Sequence, residues 1–228
     1  MADTTRPAGG RRLFWGFIAL MLALMVLFTA LGVWQLERLG EKERLIAAVE
    51  QRMDLPPAPL PAAAEWPALD PATWEYRPVI VSGTYRPADT VLVFTSLMDG
   101  RGQYGGPGYW VMTPLDLATG GTIFINRGFV PETSAQAFAG GGAIEPGLIS
   151  LTGLARAPEA IGSFTPAPDT AKRVEWVRDP ARLARMSSVA PTELAPLTID
   201  LPAGPAGALR QGSGRPSRQV DGERRELG

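Results

Sequence analysis

The feature that most constrains this chain is an uninterrupted apolar run near its N-terminus. Residues 13–33 read LFWGFIALMLALMVLFTALGV, twenty-one residues without a charge. At 1.5 Å rise per residue, a helix of this length covers the ~30 Å hydrocarbon core of a bilayer. Trp15 and Trp34 lie near its two ends, where aromatic rings prefer the membrane interface. The sequence therefore predicts a transmembrane helix at 13–33.

A cleaved signal peptide is the alternative interpretation of this run. Arg11 and Arg12 would form its basic segment, and Ala30-Leu31-Gly32 would be its small-x-small cleavage site. Signal peptides usually carry only about 7–15 apolar residues, so the length favours a retained anchor. Basic residues lie on both sides of the run, and counting Lys and Arg gives nearly a tie for orientation. We expect the large C-terminal part to be translocated.

The rest of the chain divides by composition. Leu39, Ile46 and Val49 recur between charged residues, which is an amphipathic helical pattern. Prolines then end the helix, because proline lacks the backbone donor and clashes with the preceding turn. The predicted segments are a polar leader (1–12), the transmembrane helix (13–33), a juxtamembrane amphipathic helix (34–54), a Pro-rich linker (55–73), an extracytoplasmic β-rich domain (74–200) and a disordered tail (201–228).

Short β-type runs separated by turn signals predict the fold of the domain. Two of these runs flank the glycine-bearing loop 116–121 and indicate a hairpin. Asp179 and Pro180 predict the start of a short helix, as N-cap and first helical residue. The expected fold class is mainly β, a small barrel or sandwich-like α+β domain. The predicted strands are 79–81, 91–94, 109–113, 122–126 and 148–154.

Missing residue types exclude several classes of function. The chain has no cysteine and no histidine, so it offers no thiolate nucleophile, no Ser-His-Asp triad and no imidazole ligand for a metal. Its 22 basic and 23 acidic residues nearly balance, and no nucleic-acid partner is expected. The scattered carboxylates cannot be paired as acid and base from the sequence. We therefore expect a protein that is not an enzyme, with no catalytic residue and no metal site.

The segment GTIFINRGFVPE (121–132) carries a charged residue after an apolar strand. The strand is expected to end at Asn126-Arg127-Gly128. In one interpretation Arg127 donates to loop carbonyls or pairs with a nearby carboxylate, while Asn126 and Gly128 satisfy turn geometry. In the other, its guanidinium holds a carboxylate of a partner or a ligand. Both interpretations stay open at this point.

Five segments of the chain form a recognisable series. They are LGVWQLERLGEK (31–42), WEYRPVIVSGTY (74–85), GYWVMTPLDLATGGTIFINRGFVPE (108–132), LTGLARAPE (151–159) and VEWVRDPARLA (174–184). In this order they resemble the Surfeit locus protein 1 family, the cytochrome c oxidase assembly factors. The similarity runs from about Arg11 to Asp200, and the order of the segments makes it specific.

The resemblance implies a bacterial inner-membrane protein with a periplasmic domain. It implies a role in the maturation of cytochrome c oxidase, or in haem a insertion into its catalytic subunit. The implied partners are oxidase subunit I, other oxidase assembly factors and the lipid bilayer. The residues that match the family pattern, and are candidates for partner binding, are Gly32, Trp34, Gln35, Arg77, Gly108, Tyr109, Asn126, Arg127, Gly128, Pro131 and Arg156.

One region departs from the family pattern. The family carries a second transmembrane helix after the domain, preceded by an Asn-His-Leu-x-Tyr-Ala-type motif whose histidine is the proposed haem ligand. Residues 201–228 contain neither a histidine nor an apolar span. The sequence thus lacks the histidine ligand expected for haem a, and we interpret its C-terminal segment as frameshifted, truncated or a genuine variant. The alternative function is a membrane-tethered periplasmic β-domain with a structural or envelope interaction role.

Overall fold

The computed structural model describes residues 9–97, 106–144 and 146–202. The chain divides into two compact units, Met1–Gln51 and Arg52–Gly228. Most of the predicted leader (1–8) and most of the predicted tail (203–228) lie outside the described residues, as do residues 98–105 and 145.

A single long helix, α1 (Gly9–Met53), accounts for the first unit. By length and composition, its part from Leu13 onward could cross a membrane, and none of its most apolar window is buried within the structure. The helix runs without a break through the position where the sequence predicts a change from transmembrane to juxtamembrane helix. The guanidinium of Arg38 lies over the Trp34 ring, 5.5 Å from its centroid.

The second unit is built of short strands with small helices between them. The strands are β1 (Ala58–Pro59), β2 (Pro78–Tyr85), β3 (Val91–Leu97), β4 (Gly106–Leu117), β5 (Thr122–Pro131), β6 (Ile149–Arg156), β7 (Val174–Glu175) and β8 (Leu194–Asp200). The α-helices are α2 (Pro71–Trp74), α3 (Ala135–Phe138) and α4 (Pro180–Ala184), and 3-10 helices lie at Ala63–Ala68, Pro87–Asp89, Glu132–Ser134 and Pro191–Glu193.

Five of the strands close into a barrel. Their order is β2-β6-β8-β5-β4, and β4 pairs again with β2. The β5–β8 pairing is parallel, and the other four pairings are antiparallel. β1 extends the sheet beside β2, whereas β3 and β7 extend it beside β4. The predicted small barrel is confirmed, as is the hairpin of β4 and β5.

The core of the barrel follows from the period of two along a strand. Alternate residues point to the same face, so each barrel strand contributes every second side chain to the interior. These side chains are fully or almost fully buried and form one cluster. They are Val79, Val81, Leu115, Leu117, Ile123, Ile125, Leu151, Ala155, Ala195, Leu197 and Ile199.

A second apolar cluster covers the outer face of the sheet. Leu183 and Met186 pack there against residues of β3, β4 and β5. The Asp179 side chain accepts a hydrogen bond from the Arg182 backbone N–H at 3.1 Å, and Pro180 is the first residue of α4. The predicted helix start is therefore confirmed, with aspartate as its cap.

The proline-rich segment 55–73, for which the sequence predicts a linker, contributes structure to the domain. Its strand β1 pairs in parallel with β2, and Trp66 is buried in the barrel cluster. The indole N–H of Trp66 donates to the carbonyl of Pro61 at 2.9 Å. A buried tryptophan removes a large apolar surface from water, which holds an otherwise extended segment on the barrel.

The barrel closes at a glycine. Gly83 of β2 is opposite Ile149 of β6 on one side and opposite Leu117 of β4 on the other. A Cβ atom added at Gly83 would overlap the backbone carbonyl oxygen of Asp116. The two strands can approach this closely because glycine has no side chain, so the closing contact depends on this position.

Gly83→Ala is expected to lower the free energy of unfolding by about 1–3 kcal/mol, because the backbone of β4 must move to accept the methyl group. Gly140→Ala is the matched control, since an added Cβ at Gly140 meets no atom within 4 Å. Urea unfolding of the full chain in detergent, followed by tryptophan fluorescence, measures both. Equal stability of the two variants would contradict the closing role of Gly83.

Candidate functional site

The Asn126-Arg127-Gly128 motif forms a β-bulge inside β5. Trp110 of β4 is opposite Phe129, and Met112 is opposite Asn126, so two residues of β5 face the single residue between them on β4. Gly128 has a φ of 123°, which L-residues with a side chain rarely adopt. The predicted strand end at this motif is wrong, because β5 continues to Pro131. A bulge redirects side chains while the strand continues.

The bulge places Arg127 in the protein interior. The residue is 1% exposed. Its guanidinium donates to the carbonyl of Gly141 and, at 2.7 Å, to the carbonyl of Ala143. Gly141 has a φ of 86°, a conformation that glycine reaches without strain, in the loop after α3. This geometry agrees with the interpretation in which Arg127 donates to loop carbonyls. Its role toward a partner stays a prediction.

An aromatic ring completes the surroundings of Arg127. The guanidinium lies over the Tyr85 ring, 5.4 Å from its centroid. Burial raises the pKa of Tyr85 to about 12, although the positive charge of Arg127 opposes this shift. Burial likewise lowers the pKa of Arg127 below its ordinary value, and Tyr85 opposes that shift. Tyr85 is therefore neutral at physiological pH, and the pair is a cation–π contact.

Asp200, the last residue of β8, is the common acceptor of three side chains. Asn126 donates to Oδ1 at 2.9 Å, Arg156 donates to Oδ2 at 2.9 Å, and Arg178 donates to both oxygens at 3.2 and 3.0 Å. The Asp200 side chain is 15% exposed. These contacts join β5, β6, β8 and the segment before α4. We call Asp200, Asn126, Arg156, Arg178, Glu75 and Glu159 the Asp200 cluster.

Each arginine of the Asp200 cluster has a second carboxylate. Arg156 donates from Nε to Glu75 Oε1 at 3.0 Å, and Arg178 donates from Nε to Glu159 Oε1 at 2.7 Å. Burial alone lowers the pKa of Arg178, but the charges of Asp200 and Glu159 outweigh it and raise that pKa above its ordinary value. The Arg178 guanidinium therefore stays charged. Three carboxylates against two guanidinium groups leave the cluster with one negative charge.

A strained turn lies beside the Asp200 cluster. Tyr76, between α2 and β2, has a φ of 64°, which is uncommon for a residue other than glycine. Arg156 lies over its ring at 4.7 Å from the centroid, and Arg77 lies over Trp74 at 4.8 Å. The backbone N–H of Tyr76 donates to the carbonyl of Ala155 at 2.9 Å, which ties the turn to β6. Such strain persists only where the surroundings impose it.

The predicted site residues thus fall into separate groups. Asn126 and Arg156 share Asp200, and Arg77 lies in the adjoining turn. Gly108 and Pro131 face each other across β4 and β5, where an added Cβ at Gly108 would overlap the Phe129 ring. The remaining predicted residues belong to neither group: Arg127 and Gly128 lie in the bulge, Tyr109 lies on β4 against Phe94, and Gly32, Trp34 and Gln35 lie on α1.

Sequence reasoning missed four members of the Asp200 cluster: Asp200, Glu75, Glu159 and Arg178. Their partners are remote in sequence: Arg156 is 81 positions from Glu75 and 44 positions from Asp200. No local spacing marks such pairs. The bulge did have a local signal, because a glycine inside a strand pattern often marks one.

The charged groups of the site are paired with each other. Among the described residues, no group of three or more acidic side chains could hold a metal ion. The arrangement can fix the surface at this part of the barrel and can present guanidinium and carboxylate groups to another molecule.

Comparison with known proteins assigns the family. The model of the SURF1 family matches residues 22–223 of the chain. This chain belongs to the SURF1 family. The match includes every residue of the five segments in which the sequence resembles the family, and it covers the whole described barrel. The predicted resemblance to the Surfeit locus protein 1 family is therefore confirmed.

Individual SURF1 relatives show the same similarity. A SURF1-like protein of Monosiga brevicollis is 34% identical over 172 residues, covering 73% of this chain and 62% of the relative. Human Surfeit locus protein 1 is 30% identical over 200 residues, covering 82% and 65%. The Saccharomyces cerevisiae protein named Cytochrome oxidase assembly protein SHY1 is 34% identical over 116 residues, covering 50% and 28%. The chain thus spans less than two thirds of the length of each of these relatives.

Asp200→Asn is expected to lower the free energy of unfolding by about 2–3 kcal/mol, because an amide cannot replace the carboxylate as acceptor for two guanidinium groups. Asp169→Asn is the control, since Asp169 is 43% exposed and pairs with the exposed Lys172. The control is expected to change stability by less than about 1 kcal/mol. Urea unfolding in detergent measures both. A loss for Asp200→Asn no larger than for the control would refute the anchoring role of Asp200.

Proposed function

We propose that this protein is a membrane-anchored assembly factor for cytochrome c oxidase and that it acts by binding. The observation that carries the proposal is the similarity to a yeast protein named Cytochrome oxidase assembly protein SHY1, within a family match that spans most of the chain. The paired charges of the Asp200 cluster support binding over catalysis, since they leave no base beside a nucleophile.

The proposed location is a bacterial inner membrane, with the barrel on the periplasmic side. The support is the apolar part of α1, which is long enough to cross a bilayer and lacks charge from Leu13 to Val33. Anchoring keeps the domain close to membrane-embedded partners and raises its effective concentration there. The proposed partners are oxidase subunit I and other oxidase assembly factors.

Haem a enters this proposal as cargo of the assembly process. The sequence offers neither histidine nor cysteine, two of the usual ligands of haem iron. The Tyr85 phenol is a poor substitute, since burial raises its pKa to about 12 and disfavours the phenolate. We therefore propose that the chain assists haem a insertion, or another step in the maturation of the catalytic subunit, through contacts with protein.

Deletion of the gene is expected to lower cytochrome c oxidase activity and the haem a absorbance of isolated membranes. Complementation with the wild-type gene should restore both, and a variant that lacks residues 13–33 should restore less, because it loses the proposed anchor. Oxidase assays and reduced-minus-oxidised spectra of the membranes measure these effects. Normal oxidase together with an envelope defect would instead favour a structural role for the domain.

A further inference from the structure

The loop between β6 and β7 displays apolar side chains on an ordered turn. Residues 162–165 form this turn: the Thr165 N–H donates to the carbonyl of Gly162 at 3.1 Å, and the Gly162 N–H donates to Thr165 Oγ1 at 2.9 Å. Phe164 is 97% exposed and Ile161 is 59% exposed. The barrel core uses neither side chain, so the fold itself does not explain them.

Both ends of the loop are tied to the domain. At one end, the Arg178 backbone N–H donates to Glu159 Oε2 at 2.9 Å, and the two side chains form an ion pair at 2.6 Å. At the other end, Asp169 and Val174 exchange two backbone hydrogen bonds of 2.9 Å each. These contacts hold the base of the loop and leave its apex, Ile161 to Phe164, directed away from the core.

The charge pattern of the loop separates an apolar apex from a basic flank. Residues 160–168 (AIGSFTPAP) carry no charge. The acidic residues on either side are paired: Glu159 pairs with Arg178, which it shares with Asp200, and Asp169 pairs with Lys172 at 3.6 Å. Arg173 follows Lys172 and donates to the carbonyl of Ala88, and residues 169–173 together carry one net positive charge. An apolar, aromatic apex beside basic residues is the pattern that binds at the surface of a bilayer with anionic lipids.

The small size of the apex favours lipid over protein as its partner. A stable protein–protein interface buries about 1,200–2,000 Å² in total, which two side chains on one turn cannot supply. Contact with a bilayer has no such threshold, because its strength scales with the apolar area inserted. A chain that is already tethered to the membrane also needs only weak additional contact, since its effective concentration there is high.

We propose that the Ile161–Phe164 turn inserts into the interfacial region of a lipid bilayer, with the exposed ammonium group of Lys172 near anionic headgroups. The proposal rests on the membrane anchoring that forms part of the proposed function. It assigns the domain a second membrane contact, separate from α1, and it makes the bilayer the ligand of the β6–β7 loop.

Single-cysteine labelling tests the proposal directly, because the natural chain has no cysteine. The full chain carries an environment-sensitive fluorophore at Ser163→Cys, at Gln136→Cys on α3, or at Leu22→Cys in α1. Each variant is reconstituted into vesicles of phosphatidylcholine and phosphatidylglycerol that contain doxyl lipids as quenchers at known depth. The label at residue 163 is measured again after Ile161→Ser and Phe164→Ser are introduced together.

The label at residue 163 is expected to be quenched by shallow doxyl lipids several-fold more than the label at residue 136. The double serine variant should abolish this difference. Equal quenching at residues 163 and 136, with the label at residue 22 quenched by deep doxyl lipids, would overturn the loop proposal and leave the anchor intact. No quenching at residue 22 would instead overturn the anchor. A fluorophore at residue 163 that becomes shielded from solvent only when purified oxidase is added would also overturn the proposal, in favour of a protein interface.

Discussion

The Asp200 cluster depends on the hydrogen bonds that the Asp200 carboxylate accepts. It accepts from Asn126, Arg156 and Arg178, which come from different elements of the domain. Two partly buried guanidinium groups are costly unless each has a hydrogen-bonded counter-charge. Asp200 supplies one shared counter-charge, and the outer carboxylates Glu75 and Glu159 supply the rest. Asn126 and Arg156, which the sequence singled out, are therefore held in place by charged residues that it did not single out.

The repetitive parts of the fold could be predicted from the sequence, because they depend on local patterns. The charge-free run from Leu13 indicates a helix, and alternating apolar residues indicate the strands of the barrel. The Asn126-Arg127-Gly128 motif misled the prediction of a strand end, since a turn and a bulge favour the same residue types. Only pairing with β4, where Val111 faces two residues, distinguishes them. The segment around Trp66 packs on the barrel because its tryptophan is buried there, and its proline content, which predicts a linker, does not reveal this burial.

The candidate site shows the same limit for charged residues. Arg127 could be singled out from the sequence. Its burial, with only 1% of the residue exposed, depends on the loop that supplies the carbonyl acceptors for its guanidinium. Asp200 follows an apolar strand and looks like an ordinary terminal residue in the sequence. The proposed function rests on family membership together with the apolar helix, and the barrel supplies a folded surface that a partner can bind.

Co-purification tests the central claim most directly. The tagged full chain is isolated from detergent-solubilised membranes of its own host, and the bound proteins are identified by mass spectrometry. Binding to an oxidase under assembly predicts that subunit I is enriched over a control purification with an unrelated tagged membrane protein. Recovery of the chain without subunit I or any other oxidase subunit or assembly factor would contradict the account.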